Sequence, residues 1–206
     1  MTSNLLHIDT SPRFGRSSSR GLGADFIATW KIAHPQGTIQ TLDLTANPVP
    51  LVSSPWVEGA FTAPEGHSPE AKAAMVVSNA YVDQLLGAEQ ILITTPMYNL
   101  SIPAALKAWI DQIVRFGRTF TKTDTGFAGL AGDKKVTIIV ASGSDFRPAG
   151  PGGGYNFVEP YLRAILGFIG LTDVTFVYGH SMNLPDPDRS EVLATARKEL
   201  QAIAAA

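Results

Sequence analysis

Short apolar segments alternate with helical patterns along almost the whole chain, and this alternation restricts the fold more than any other feature. Residues 4–9, 91–94, 136–140 and 174–178 are rich in Leu, Ile and Val, and residues 38–44 form a less regular segment of the same kind. Runs this short and apolar are typical of strands that are covered on both faces. Strands alternating with helices predict an α/β fold with a five-stranded parallel sheet, and right-handed crossovers place helices on both faces.

Between these strands, apolar residues recur at helical spacing. Ser68 and Pro69 supply a capping hydroxyl and a first-turn proline for one such helix. In the next helix, Lys107, Asp111 and Arg115 follow one another at spacing four and predict a solvated stripe. Helices are predicted for five segments in all: residues 17–33, 68–86, 106–114, 158–169 and 193–203.

Three segments show neither pattern. Residues 45–67 are rich in proline and are predicted to form a long loop, and residues 117–132 are predicted to form a small hairpin. Residues 143–156 are predicted to form a loop, whose glycines at 150–154 suit a flexible lid and a tight turn equally well. Since no internal repeat and no flexible linker divides the chain, we expect residues 1–206 to form a single domain.

Composition excludes several classes of function. Hydrophobic residues make up 45% of the 206 residues and the formal net charge is -2, which argues against broad electrostatic capture of nucleic acid. No apolar stretch approaches the roughly 20 residues of a membrane span, and the first residues do not resemble a secretion signal. The sequence has no cysteine and its four histidines are scattered, so we expect a cytoplasmic protein without a bound metal.

The sheet topology indicates where a ligand would bind. In open parallel sheets, ligands bind beyond the carboxyl ends of the strands, at the point where the strand order reverses. The loops expected there are residues 10–19, 95–102 and 142–156.

The first of these loops carries serines immediately before a predicted helix. Helix N-termini attract phosphate, and serine hydroxyls supply further donors. Arg13, Arg16 and Arg20 add positive charge. An ordinary alternative is that a serine at 17 or 18 only caps the helix and that the arginines are solvated; the position of the loop in the sheet favours a phosphate site.

The second loop follows the third predicted strand. Met97, Tyr98, Asn99 and Leu100 carry consecutive backbone N–H groups near a helix start, and such groups can bind a ring rich in carbonyls. Met and Tyr also offer apolar, polarisable surface for stacking. The residues alone leave open whether this is a ligand site or an ordinary turn whose large side chains cover the end of the sheet.

Three longer segments resemble the FMN-dependent NADH-azoreductase family. They are residues 96–111 (PMYNLSIPAALKAWID), residues 117–130 (GRTFTKTDTGFAGL) and residues 161–173 (YLRAILGFIGLTD). Together with the serine loop, the resemblance extends over almost the whole chain. It implies a flavodoxin-like three-layer sandwich, a homodimer, and one FMN per subunit at the dimer interface.

The resemblance also implies which residues hold FMN. They are Ser11, Ser17, Ser18 and Ser19 at the phosphate, Pro96, Met97, Tyr98, Asn99 and Leu100 along the isoalloxazine ring, and Ser142, Gly143, Ser144 and Asp145 on the other side of the ring. The family usually carries Ser-Arg-Gly-Gly at the last of these places, so here the arginine contact is lost and Asp145 adds a negative charge. Leu100 and Lys122 stand where relatives often carry aromatic residues, which predicts a less aromatic substrate face.

The function implied by the resemblance is the reduction of a quinone or an azo compound by NADH or NADPH, through two-electron hydride transfer in a ping-pong order. In this interpretation Tyr98 and Asn99 orient the acceptor, and part of residues 48–67 covers the active site or packs on the partner subunit. One alternative is a flavodoxin-type electron carrier, but such carriers usually have strongly acidic surfaces. Another is a phosphodiesterase acting on a phosphopantetheine ester, which normally requires a metal cluster or an activated nucleophile.

Overall fold

The computed structural model describes residues 3–205 and confirms the predicted flavodoxin-like α/β architecture, with five parallel strands in one sheet. The strand order reverses between the first and third strands of the chain, as predicted. The predicted bounds of all five strands lie within two residues of the observed ones. In their order across the sheet, the strands are β2 (Thr38–Asp43), β1 (Asn4–Asp9), β3 (Gln90–Pro96), β6 (Lys135–Ala141) and β7 (Val174–Gly179).

Helices cover both faces of the sheet because successive strand residues point to opposite sides. On one face, Leu5 and Leu92 pack with Trp30 of the first helix. On the other face, Leu6 and Ile93 belong to the larger apolar core. The helices are α1 (Ser18–Ala33) and α6 (Asp188–Ala204) on the first face, α3 (Pro69–Gly87), α4 (Ala104–Ile113) and α5 (Val158–Phe168) on the second, and the short α2 (Ser54–Phe61), which packs on α3. No helix within residues 3–205 combines the length and the apolar character that crossing a membrane requires.

The predicted hairpin is present. Strands β4 (Phe120–Thr123) and β5 (Gly126–Gly129) pair antiparallel, apart from the main sheet. Phe120 and Phe127 contact Phe168 at the end of α5, with ring centroids 4.7 and 5.5 Å from that of Phe168. The hairpin is thereby fixed to the body of the domain.

The prediction that residues 45–67 form a loop throughout was wrong. This segment contains α2 and a short 3-10 helix, Pro64–Gly66. Ser53 caps α2 with its side chain and a proline occupies the first turn, the same start signal that predicted α3 correctly at Ser68. The helix spans only eight residues and buries only Trp56 and Gly59, so its apolar periodicity is too short to stand out.

The prediction that Arg115 lies on a solvated helix stripe was also wrong. Helix α4 ends at Ile113, so Arg115 no longer continues the spacing of Lys107 and Asp111. Those two residues form the expected i,i+4 ion pair, whereas Arg115 is buried and donates to the Ser78 hydroxyl at 2.6 Å. Burial lowers the pKa of Arg115.

Candidate active site

A cleft of about 430 Å³ lies at the carboxyl ends of β1, β3 and β6, on the side predicted from the topology. All three segments selected from the sequence contribute to it. Its lining consists of Ser11, Arg13, Arg16, Ser17, Ser18, Ser19, Pro96, Met97, Tyr98, Ala141, Ser142, Gly143, Met182, Asn183, Arg189 and Leu193. This volume is in the range of small-molecule and cofactor sites.

The serines at the start of α1 form one end of the cleft. Ser17 is the N-cap of α1, and its Oγ accepts a hydrogen bond from the Arg20 backbone N–H at 3.2 Å. The hydroxyls of Ser17 and Ser19 are 3.1 Å apart. The capping role expected from the residue type is therefore present, and it does not remove these serines from the cleft. Hydroxyls and the positive end of a helix together suit an anionic ligand group.

The three arginines of this segment do not share one role. Arg13 and Arg16 are exposed and line the cleft, so their charges are available to an anionic ligand. Arg20 does not line it and is bound to Asp9 and Asp43, at 3.1 and 2.8 Å. Asp9 and Asp43 lie side by side in the register of β1 and β2.

The turn after β3 differs from its prediction in one respect. The N–H groups of Met97 and Tyr98 were expected to be available to a ligand ring, but they donate to Ala141 O at 2.8 Å and to Ser101 O at 3.0 Å. Asn99 and Leu100 have positive φ values of 48° and 70°, which is the conformation of the two central residues in a type I′ turn. Met97 and Tyr98 therefore offer the cleft mainly their side chains.

Two members of this turn are absent from the lining of the cleft. Asn99 and Leu100 follow the cleft residues directly in sequence, and the turn carries them away from it. The Asn99 side chain is exposed, and the carbonyl of Leu100 accepts from the Phe157 N–H at 3.1 Å. Tyr98 is 39% exposed and remains at the cleft.

The loop after β6 divides in the same way. Ser142 and Gly143 line the cleft, whereas Ser144 and Asp145 do not. The negative charge expected from Asp145 is paired with Arg147, at 2.7 Å. The hydrogen bonds from Arg147 lower the pKa of Asp145 to about 2 despite partial burial. Asp145 is thus an ionised carboxylate with its own partner.

The glycine-rich part of this loop is held in turns. Gly150, Gly152 and Gly153 each donate a backbone hydrogen bond to a residue of the same loop. A Cβ on Gly153 would lie 2.5 Å from the carbonyl oxygen of Pro148, so the backbone there leaves room only for glycine. Of the two alternatives left open by the sequence, these bonds favour the tight turn.

Residues after β7 were missed from the sequence. Met182, Asn183, Arg189 and Leu193 line the cleft from the loop after β7 and from α6. The N–H of Met182 donates to Ser142 O at 3.0 Å, which fixes the two loops together. A signal was available, because β7 is parallel to β6 and its loop must leave the same edge of the sheet.

The histidine and acidic side chains were compared with the grouping that a metal ion requires. Within the described residues, no group of three or more His, Asp or Glu side chains is placed to hold a metal ion. His7 is a buried residue of the core: its Nε2 lies 3.1 Å from Thr94 Oγ1, and burial lowers its pKa to about 4.

The fold and the position of the cleft define a flavodoxin-like protein with a small-molecule site at the switch point of its sheet. A family model described as "Flavodoxin-like fold" matches residues 3–204, and the chain belongs to this family.

Individual relatives narrow this class. The chain is 49% identical over 203 residues to the "FMN-dependent NADH:quinone oxidoreductase" of Nostoc sp. (strain PCC 7120 / SAG 25.82 / UTEX 2576), with 98% of each chain covered. It is 48% identical to "FMN-dependent NADH:quinone oxidoreductase 2" of Trichormus variabilis (strain ATCC 29413 / PCC 7937), again with 98% of each chain covered.

Solved structures agree with this placement. An azoreductase from Bacillus anthracis str. Sterne superposes with a TM-score of 0.91 at 30% identity, covering 99% of both chains. An FMN-dependent NADH-azoreductase from Bacillus anthracis str. Ames Ancestor, determined in complex with FMN, superposes with a TM-score of 0.89 at 25% identity, covering 98% of both chains.

Proposed function

We propose that this protein is an FMN-dependent NADH:quinone oxidoreductase that also reduces azo compounds. The observation that carries the proposal is the cleft itself, which has hydroxyls, two arginines and a helix N-terminus at one end and Pro96, Met97 and Tyr98 at the other. Full-length relatives named for this activity support the same conclusion.

The donor set of the cleft fits FMN. Its anionic phosphate suits the end formed by the serine loop, where Arg13 and Arg16 also lie. Its flat, largely apolar ring suits the side chains of Met97 and Tyr98, which stack without adding charge. We assign Ser11, Ser17, Ser18 and Ser19 to the phosphate, and Pro96, Met97, Tyr98, Ser142 and Gly143 to the ring end.

In this proposal the residues of the chain bind the cofactor and orient the acceptor, and none is assigned a proton transfer. When bound, FMN would supply the redox chemistry, which is the two-electron transfer of a hydride equivalent from NADH to the acceptor. We assign Tyr98 the role of orienting a planar acceptor, because it lines the cleft and its turn is held by hydrogen bonds, which would limit the poses of the acceptor. Asn99 is a weaker candidate for this role, since its side chain is exposed beyond the cleft.

The remaining parts of the proposal rest on the sequence analysis alone. They are a ping-pong order of donor and acceptor, a homodimer with the active site at its interface, and a cytoplasmic location. Phe61, 76% exposed at the end of α2, is one apolar side chain that a partner subunit could cover. Light scattering coupled to gel filtration measures the oligomeric state, and a monomer with full activity would contradict the dimer.

The decisive experiment is a flavin titration followed by turnover. The purified protein should bind FMN, oxidise NADH rapidly when a small quinone is present, and reduce an azo dye more slowly. FMN binding without NADH oxidation would instead indicate an electron carrier, and failure to bind FMN would refute the proposal.

A matched pair of variants locates the phosphate. Ser18 and Ser54 are each the first residue of a helix and each follows a serine N-cap, but only Ser18 lines the cleft. Ser18→Asp places a carboxylate beside the expected phosphate and should weaken FMN binding by at least about tenfold through like-charge repulsion. Ser54→Asp should leave binding unchanged. Equal affinities in the two variants would place the phosphate elsewhere.

A further inference from the structure

The Arg20 side chain contacts the loop between β1 and α1, and its guanidinium combines hydrogen bonds with two ion pairs. Its NH1 group forms ion pairs with Asp9 Oδ2 at 3.1 Å and with Asp43 Oδ2 at 2.8 Å. Its Nε and NH2 groups both donate to Ser11 O, at 2.9 and 2.6 Å, and NH2 also donates to Thr45 Oγ1 at 3.2 Å. The guanidinium is thereby bound to two carboxylates, one carbonyl and one hydroxyl of the protein.

These contacts fix the main chain of Ser11 from two sides. The Ser11 carbonyl accepts from Arg20, and the Ser11 N–H donates to Asp9 Oδ1 at 3.1 Å. Asp9 itself belongs to the central strand β1, whose position the sheet determines. Ser11 is 1% exposed, yet it lines the cleft. Its orientation at the cleft is therefore set by Arg20 and Asp9 together.

The charges in this cluster do not act as a free positive site. The side chains of Arg20, Asp9 and Asp43 are 19%, 5% and 20% exposed. Burial raises the pKa of Asp9. Burial also opposes ionisation of Asp43, but hydrogen bonds from Arg20, Ala46 and Thr45 outweigh it and lower its pKa. With an ionised carboxylate already bound to Arg20, attraction of a ligand phosphate falls instead to Arg13 and Arg16.

We propose that Arg20 is a positioning residue, which acts through Ser11 to give the phosphate end of the cleft its binding geometry. This inference rests on the proposed FMN function. In this proposal Arg13 and Arg16 attract the phosphate, whereas Arg20 positions the groups that donate hydrogen bonds to it. Directional hydrogen bonding, and not charge alone, is the property that Arg20 contributes.

The test compares FMN with riboflavin, which lacks the phosphate. Dissociation constants of both are measured by flavin fluorescence for the wild type, Arg20→Lys and Arg20→Gln. Both variants should lower the preference for FMN over riboflavin by roughly tenfold, the effect of losing one charged hydrogen bond. Their riboflavin constants should stay within about twofold of the wild-type value, because the ring end is unchanged.

Two further variants keep the result interpretable. Arg197→Lys alters another ion-paired arginine, bound to Asp25 of α1 at 2.7 Å, and should leave the preference unchanged. Thr45→Val, at similar side-chain volume, removes an acceptor of Arg20 together with the hydroxyl that lies 3.3 Å from Ser11 O and 2.8 Å from Asp43 Oδ1. It disturbs the same cluster more mildly and should lower the preference in the same direction by a smaller factor. Thr45→Val provides the test if neither Arg20 variant folds.

Each outcome separates this inference from the proposed function. If Arg20→Lys kept the wild-type preference for FMN over riboflavin, the positioning role would be overturned, and the positive charge at residue 20 would be sufficient. Equal weakening of FMN and riboflavin, with a lowered melting temperature, would overturn it in favour of a general structural role. A wild-type protein that binds FMN no better than riboflavin would overturn the phosphate site itself, and the positioning role with it.

Discussion

Gly23 lies in the second turn of α1 and faces the sheet, and adding a methyl group there provides a quantitative test of the packing. A Cβ at this position would lie 2.6 Å from the Thr94 methyl group and 3.6 Å from His7 Nε2. Thr94 is fully buried, and its hydroxyl forms the hydrogen bond with His7. Gly21, two residues earlier in the same helix, is exposed, and a Cβ there would meet nothing within 4 Å.

The two glycines should therefore respond to alanine with opposite signs. Ala is favoured over Gly inside a helix by about 1 kcal/mol, so Gly21→Ala should raise the free energy of unfolding by about that amount. In Gly23→Ala the same gain is opposed by an overpacking cost of about 1–3 kcal/mol and by weakening of a buried hydrogen bond, worth about 1 kcal/mol. The net change at Gly23 is a loss of about 1–3 kcal/mol.

Urea unfolding of the wild type and both variants, at one fixed FMN concentration, measures these differences. The variants should differ from each other by about 2–4 kcal/mol, which corresponds to a gap on the order of 10 °C in melting temperature for a chain of this length. If Gly23→Ala were as stabilising as Gly21→Ala, the close contact between α1 and β3 would be refuted.

Three further predictions concern buried polar groups. Burial lowers the pKa of His7 from 6.5 to about 4, so between these pH values the unfolded chain binds a proton at His7 and the folded protein does not. The free energy of unfolding should therefore fall by about 2–3 kcal/mol as the pH drops from 6.5 to 4. Urea titrations should show that His7→Gln removes this part of the decline. Trp56→Phe leaves Gln112 Oε1 without its donor at 2.8 Å and should cost about 1–2 kcal/mol in urea unfolding, whereas Ile32→Ala, at a position 82% exposed, should change it by less than about 0.5 kcal/mol. Asn156→Ala removes the acceptor of the first two N–H groups of α5 and should cost about 1 kcal/mol, measured by thermal unfolding.

The fold was predictable because its strands and longer helices are strongly patterned. The apolar runs of β3 and β6 indicated buried strands, and Ser68 with Pro69 marked the start of α3. The cleft followed from topology, since the carboxyl ends of parallel strands converge wherever the strand order reverses. Its position could therefore be predicted without knowing any individual side-chain contact.

The errors share a different physical origin. Asp9, Arg20 and Asp43 are distant in sequence and meet only because β1 and β2 pair in register. Arg115 left its predicted stripe because α4 ends two residues before it. Periodicity describes one element at a time, so it does not predict which side chains neighbouring elements bring together.

The availability of backbone N–H groups was a subtler error. The consecutive N–H groups after β3 were predicted to be available to a ligand, because a sequence shows hydrogen-bond donors without their acceptors. In the folded chain, Met97 donates to β6 and Tyr98 closes a turn with Ser101. Because buried backbone donors almost always find partners within the protein, a loop that leaves a buried strand should be assumed to use its first N–H groups structurally.

Helix α1 shows why the site and the core of this protein depend on each other. Its first turn carries the serines of the cleft and Arg20, which binds Ser11 O, and Gly23 about one turn later lies against Thr94. Thr94 O also accepts from the N–H of Thr10, the residue before Ser11. A displacement of α1 at Gly23 is therefore transmitted to the phosphate end of the cleft through the same short helix. Packing of α1 against β3 is accordingly part of the binding geometry as well as a source of stability.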